Sequence, residues 1–334
     1  MSAAPRTLPG REPLLALVLA AAAILTGLLA LGIGSTGVEA LWRVASDPVA
    51  AQIVWDIRAP RTVGAFAAGA LLGLAGAVAQ GLFRNPLADP FLLGSASGAA
   101  LGLALALTTL GVSPMTADWL SRLGLTGAAF AGAVLAVLMT LAMARGVQQT
   151  LRLLLAGVVV GVVLGALTSL VSVAKPAILP AMQAFMLGST GLVSWSACAL
   201  MAGVGLVCLV VALALARGLD ALALGPATAK SLGLPLLPLQ AILIAVLALA
   251  TGTAVAQTGL IAFVGLAAPH LVRAIVKTTH AWLMLLASLM GGLLLMVADA
   301  LARGLMAPEE LPVGVLTSVL GGGYLMWRMQ RQAG

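Results

Sequence analysis

Ten apolar runs of about 20 residues leave this chain few folds to choose from. They cover roughly 13–33, 60–82, 92–111, 122–144, 152–174, 193–216, 237–257, 262–278, 281–301 and 312–330. A helix of about 20 apolar residues crosses a bilayer core and satisfies its own backbone hydrogen bonds there. A transmembrane β-barrel would show short stretches of alternating hydropathy instead, and none is present. Only 8% of residues are charged, against about 25% in a soluble domain. The expectation is an all-α membrane protein of ten transmembrane helices, forming a single domain over residues 1–334. The first run follows Arg6, Arg11 and Glu12 and is longer than a signal-peptide core, so it is read as a span.

An even number of spans puts both termini on one side. With the termini inside, the inner segments hold 11 of the 17 basic residues and 3 of the 10 acids. Positive charge collects on the cytoplasmic side of such proteins, which places both termini and the 217–234 segment there. The net charge of +7 is spread along the chain rather than clustered, so nucleic acid is not an expected partner.

The 217–234 segment, RGLDALALGPATAKSLGL, is the longest central break between runs. Leu219, Leu222, Leu224 and Ala229 give two very short helices an apolar side, with Gly225-Pro226 forcing a turn between them. It reads as a docking element. On the outer side, 175–192 contains Pro176, Pro180, Gln183 and Gly188 and reads as a short dipping helix, a lid or gate. The stretch 34–57, with Glu39, Trp42, Arg43, Asp47 and Trp55, reads as an interfacial helix. Small residues one turn apart at Gly69/Gly73, Gly98/Gly102 and Gly157/Gly161/Gly165 mark close helix packing; the third ladder could also slide.

No catalytic constellation is visible. His270 and His280 have no Cys or acidic neighbour at metal-ligand spacing. Lys230-Ser231 lacks the glycines of a phosphate-binding loop, so the chain has no ATP-binding motif. Cys198 and Cys208 are ten residues apart in one run, too far along a helix for a disulfide. Asp299 and Arg303 are spaced for an i,i+4 ion pair. Arg58 and Arg61 precede a span at the outer mouth, either as snorkelling anchors or as forks for a partner's carboxylates; Arg303 makes a third outward arginine. Arg84-Asn85-Pro86-Leu87-Ala88-Asp89-Pro90 is a stiff inner turn.

The segments RAPR (58–61), RNPLADPFLLGSASGA (84–99), LRLLLAGVVVG (151–161), LALGPATAKSLGL (222–234), GLIAFVGLAAPHLVR (259–273) and the series Asp299, Arg303, Glu310-Leu311-Pro312-Val313-Gly314 resemble the FecCD-type permease family. Those proteins are membrane subunits of ATP-binding-cassette (ABC) importers for siderophores, haem and cobalamin. The resemblance implies a type II ABC importer permease fold and a homodimer with its pathway at the subunit interface. It also implies two cytoplasmic ATP-binding subunits, which carry ATP and magnesium, and a periplasmic substrate-binding protein. This chain itself is then no enzyme and binds no cofactor or metal. By the same resemblance, Arg58, Arg61 and Arg303 dock the binding protein. Asp220, Leu224, Gly225, Ala229, Leu232 and Gly233 belong to coupling helices seated on the ATPase. Asn85, Leu87, Thr150 and Leu151 form the inner gate, while Gly157, Gly161, Met182 and Met186 belong to the pathway or outer gate. Two departures stand out: Gly323 replaces a family proline, and Pro226 and Thr228 replace a more acidic stretch.

The leading expectation is thus alternating-access import of a metal chelate, haem before siderophore or cobalamin. The alternative is an ion-gradient-driven secondary transporter, which would need ionisable residues near the midplane that these spans scarcely offer.

Overall fold

The computed structural model describes residues 10–34, 37–38, 47–111, 119–144 and 150–333. Helix α1 (Arg11–Gly32) leads into a minimal hairpin, β1 (Ile33–Gly34) with β2 (Gly37–Val38), in which Ile33 pairs Val38. Helix α2 (Pro48–Ile53) is capped by Asp47, whose Oδ1 accepts from the Val49 N–H at 2.9 Å. It does not stop where an interfacial helix should. A π-turn at Val54–Arg58 carries it directly into α3 (Ala59–Phe83), so residues 48–83 form one helical unit. That corrects the expectation of a separate helix over 34–57; Glu39, Trp42 and Arg43 lie outside the described residues.

The chain continues through a 3-10 turn (Pro90–Leu93) to α4 (Ser95–Leu110), α5 (Trp119–Met143) and α6 (Thr150–Ala174). A second 3-10 turn (Pro176–Ile178) and α7 (Leu179–Leu187) make up the short broken helix expected over 175–192. Then follow α8 (Trp195–Ala214), α9 (Ala216–Ala223), α10 (Pro226–Ser231), α11 (Leu236–Thr258), α12 (Val264–Ile275), α13 (His280–Gly304) and α14 (Val313–Ala333). A helix therefore lies at each of the ten apolar runs. Among the described residues, seven helices are long and apolar enough to cross a membrane. The apolar stretches 95–109, 264–275 and 313–324 are shorter. In α4 the cause is Gly94, whose φ of 78° ends the 3-10 turn and restarts the helix. In α12 it is the non-helical stretch 259–263, which opens at Gly259 (φ 69°).

Helix α3 is the axis of the bundle: every residue from 71 to 83 is buried. A helix apolar all round belongs inside. Its small residues let neighbours approach to backbone contact, which is how helices associate where lipid offers no hydrophobic gain. Gly69 and Gly73 lie against the backbone of Gly291 and Ala287 on α13, and Gly76 against that of Gly265 on α12, leaving no room for a Cβ. Gly98 and Gly102 of α4 pack the same way on Gly132 and Ala128 of α5. The third ladder does not follow suit: Gly157 abuts the Leu92 carbonyl, but Gly161 is looser and Gly165 faces open space.

Candidate functional site

At one end of the bundle, α3, α13 and two loops converge on a single carboxylate. Asp299, on the last turns of α13, is 0% exposed. Arg61 Nε donates to its Oδ1 at 3.0 Å, Arg303 Nη2 lies 2.9 Å from its Oδ2, and the Thr190 hydroxyl donates to Oδ1. The expected Asp299–Arg303 pair is therefore present, inside a larger cluster. Arg303, 1% exposed, also donates to the carbonyls of Ala30 (3.2 Å) and Ile33 (3.1 Å) and to Thr62 Oγ1 (3.3 Å). Arg58 Nη1 donates to the Leu31 carbonyl at 3.2 Å. A helix end leaves its last carbonyls without intrahelical donors, and here two arginines supply them for α1.

All three arginines are buried. This corrects the expectation that they stand free at the outer surface: Asp299 and the end of α1 already hold them. A buried charge is tolerated when it is paired and its hydrogen bonds are filled. One contact of the cluster reaches the rim. Arg61 Nη1 donates to Glu310 Oε2 at 2.7 Å, and the Glu310 side chain is 35% exposed. Sequence spacing gave no hint that Thr190 and Glu310 meet Arg61 and Asp299, because the partners lie more than 100 residues apart.

At the other end, α9 and α10 form the expected hairpin, turned at Gly225 with φ 110°. That angle is open to glycine and strained for other residues. Leu219 and Leu222 are buried against the bundle, while Leu224 and Leu232 are 70% and 63% exposed. Ala229 is 0% exposed, so it faces its own bundle and is not part of an offered apolar surface, contrary to expectation. Asp220 is also engaged within the chain. Its Oδ1 accepts from the His280 N–H at 3.0 Å and lies 2.7 Å from His280 Nδ1, which caps the start of α13 and ties α9 to it. Gly233, with φ 78°, closes the element.

The turn over Arg84–Pro90 behaves as its sequence suggests. Asn85 Oδ1 accepts from the Leu87 N–H at 2.9 Å, leaving Leu87 exposed, and Asp89 Oδ1 accepts from the Phe91 N–H at 2.8 Å. Burial pushes the Asp89 carboxyl up to about 6, against the opposing pull of that hydrogen bond. A groove of about 500 Å³ runs between this turn and α6, lined by Asp89, Phe91, Ser97, Gly157, Gly161 and Val162. Thr150 opens α6 and Leu151 follows, but their side chains lie outside the described residues. Met186 is exposed, whereas Met182 is buried among residues of α4, α5 and α7 and cannot line an open path as expected. Cys198 and Cys208 are buried and unbridged. Among the described residues no group of three His, Cys, Asp or Glu could hold a metal.

An all-helical bundle with this many spanning-length helices defines a multi-pass membrane protein. The chain belongs to the FecCD transport family, which matches residues 17–331, and is a membrane permease. It is 37% identical over 317 residues to the hemin transport system permease protein of Yersinia pestis, covering 92% of this chain and 94% of that one. It is 39% identical over 283 residues to the vitamin B12 import system permease protein of Escherichia coli, covering 84% and 85%. Among solved structures, an inward-facing conformation of a metal-chelate type ABC transporter superposes with a TM-score of 0.85 at 28% identity, covering 96% of this chain and 99% of that one.

Proposed function

We propose that this chain is the permease of an ABC importer that moves a metal chelate into the cytoplasm by alternating access, with haem the favoured cargo. Family membership carries the importer class; the similarity to a hemin permease over nearly the whole chain is compatible with haem, as that to a vitamin B12 permease is with cobalamin. Two copies would form the pathway. On α6, Leu155, Val158, Val162, Leu170 and Val173 are exposed while Leu153, Val160 and Leu164 face the bundle, a side that a second copy would cover in place of lipid. Two cytoplasmic ATP-binding subunits would drive the pair, each seated on a hairpin α9–α10. Exposed Leu224 and Leu232 on either side of the Gly225 turn are the residues offered to that motor. A substrate-binding protein would dock at the opposite end, around Arg61 and Glu310. The inner gate would lie at Asn85–Leu87 and the start of α6.

Energetically the permease need only be bistable, because a motor that binds one state more tightly shifts the populations. Replacing Leu224 and Leu232 together by Asp is expected to strip the ATP-binding subunit from the purified permease. The volume-conserving pair Leu224→Met with Leu232→Met should leave it attached. ATP turnover by the reconstituted complex, with binding protein loaded by haem, a ferric siderophore or cobalamin in turn, identifies the cargo. Equal co-purification of the ATP-binding subunit with wild type and the Asp double variant would overturn the motor contact.

A further inference from the structure

Arg61 holds two carboxylates of different character. Its Nε is committed to Asp299, which has no exposed surface and is shared with Arg303 and Thr190. Its Nη1 is bonded at 2.7 Å to Glu310, on the short connection between α13 and α14, with a side chain 35% exposed at the rim. The outward edge of this guanidinium is thus already filled by a carboxylate of the chain itself. Leu305 and Met306, on the same connection, are exposed and apolar. We infer that Glu310 is a built-in stand-in for the docking partner's carboxylate: it occupies Arg61 Nη1 in the undocked permease and yields it to a Glu or Asp of the binding protein.

The inference rests on the docking role proposed above and adds its regulation. Three features of the geometry favour exchange over a permanent bond. Glu310 can carry its own charge into water at little cost, whereas Asp299 cannot. Arg61 stays fixed by Asp299 when Glu310 leaves, so the incoming carboxylate meets an oriented fork rather than a flexible side chain. The exchange also swaps one hydrogen-bonded carboxylate for another, so Arg61 Nη1 is paired before and after it. Its effect would be to weaken docking to a level that permits release in each transport cycle, and to keep the arginine from pairing with unrelated anions.

The test uses the full permease–ATPase complex in lipid nanodiscs and its purified cognate substrate-binding protein, with the dissociation constant measured by surface-immobilised binding. Glu310→Gln removes the competing charge, and docking should tighten roughly two- to five-fold, the range set by a partly exposed ion pair. Glu310→Asp, one methylene shorter, draws the carboxylate back from Arg61 and should tighten docking in the same direction. In an Arg61→Gln background Glu310→Gln should have no further effect, since neighbours that share a bond couple and independent residues do not. Unchanged or weaker docking in Glu310→Gln would overturn the inference; it would mean that Glu310 merely positions Arg61 or contacts the partner itself. The docking role fails separately: Arg61→Gln with wild-type affinity would sink that reading, whatever Glu310 does.

Discussion

Replacing Asp299 by Asn removes one charge from the buried cluster and almost nothing else. The amide keeps the side chain's shape and one acceptor oxygen, but two buried guanidiniums lose their shared counter-charge. Breaking a buried ion pair from one side costs about 3–5 kcal/mol. The rim pair Arg61–Glu310, with its exposed carboxylate, is worth about 1 kcal/mol or less. At about 2 °C per kcal/mol for a chain of this size, Asp299→Asn should lower the melting temperature by roughly 6–10 °C. Glu310→Gln should lower it by about 2 °C at most. The assay is thermal unfolding of the purified permease in one detergent, all variants side by side. Adding Arg303→Met to Asp299→Asn takes away the surplus cation but also the donors to the Ala30 and Ile33 carbonyls, so the double variant should lose clearly less than the sum of the two single changes. If Asp299→Asn melts within about 2 °C of wild type, Asp299 does not balance the arginines and the charge argument fails. A double variant that loses the full sum of both changes would point to packing instead.

Two further predictions concern the bundle. A Cβ on Gly76 would overlap the Gly265 backbone, whereas one on Gly165 meets open space. Gly76→Ala should therefore destabilise by about 1–3 kcal/mol in a melting assay, and Gly165→Ala should leave melting unchanged; equal effects would refute the seam. Asp89 has its pKa raised from 3.8 to about 6 by burial, so the ionised form disfavours the fold. The penalty is absent below about pH 4, grows as pH rises, and is complete above about pH 6. Asp89→Asn keeps an acceptor for the Phe91 N–H and should gain about 1–2 kcal/mol at pH 7.5, allowing for partial exposure, and nothing at pH 4. Parallel melting curves for the two proteins across that range would rule the burial penalty out.

The sequence by itself determined the solvent and the element type. Apolar runs of bilayer length require helices wherever they occur, because backbone polar groups have no other partner in lipid, and a helix stands at every run. Spacing alone also exposed the local features: the Gly225 turn, the stiff turn over Arg84–Pro90, the broken helix after Pro176 and the Asp299–Arg303 pair one turn apart. These depend on residues within a few positions of one another. Motif order along the chain added the family.

The tertiary structure decided which side chains remain on offer, and for this no periodicity in the chain carries a signal. Arg58, Arg61 and Arg303 look like outward arginines until the end of α1 and Asp299 are brought beside them. Ala229 and Asp220 look like parts of a docking face until α9 and α10 fold back, burying the one and pairing the other with His280. Met182 turns inward because α4 and α5 pack over α7. Pairing and burial belong to contacts between residues distant in the chain; for the Asp299 cluster those contacts follow from the small-residue seam that sets α13 against α3.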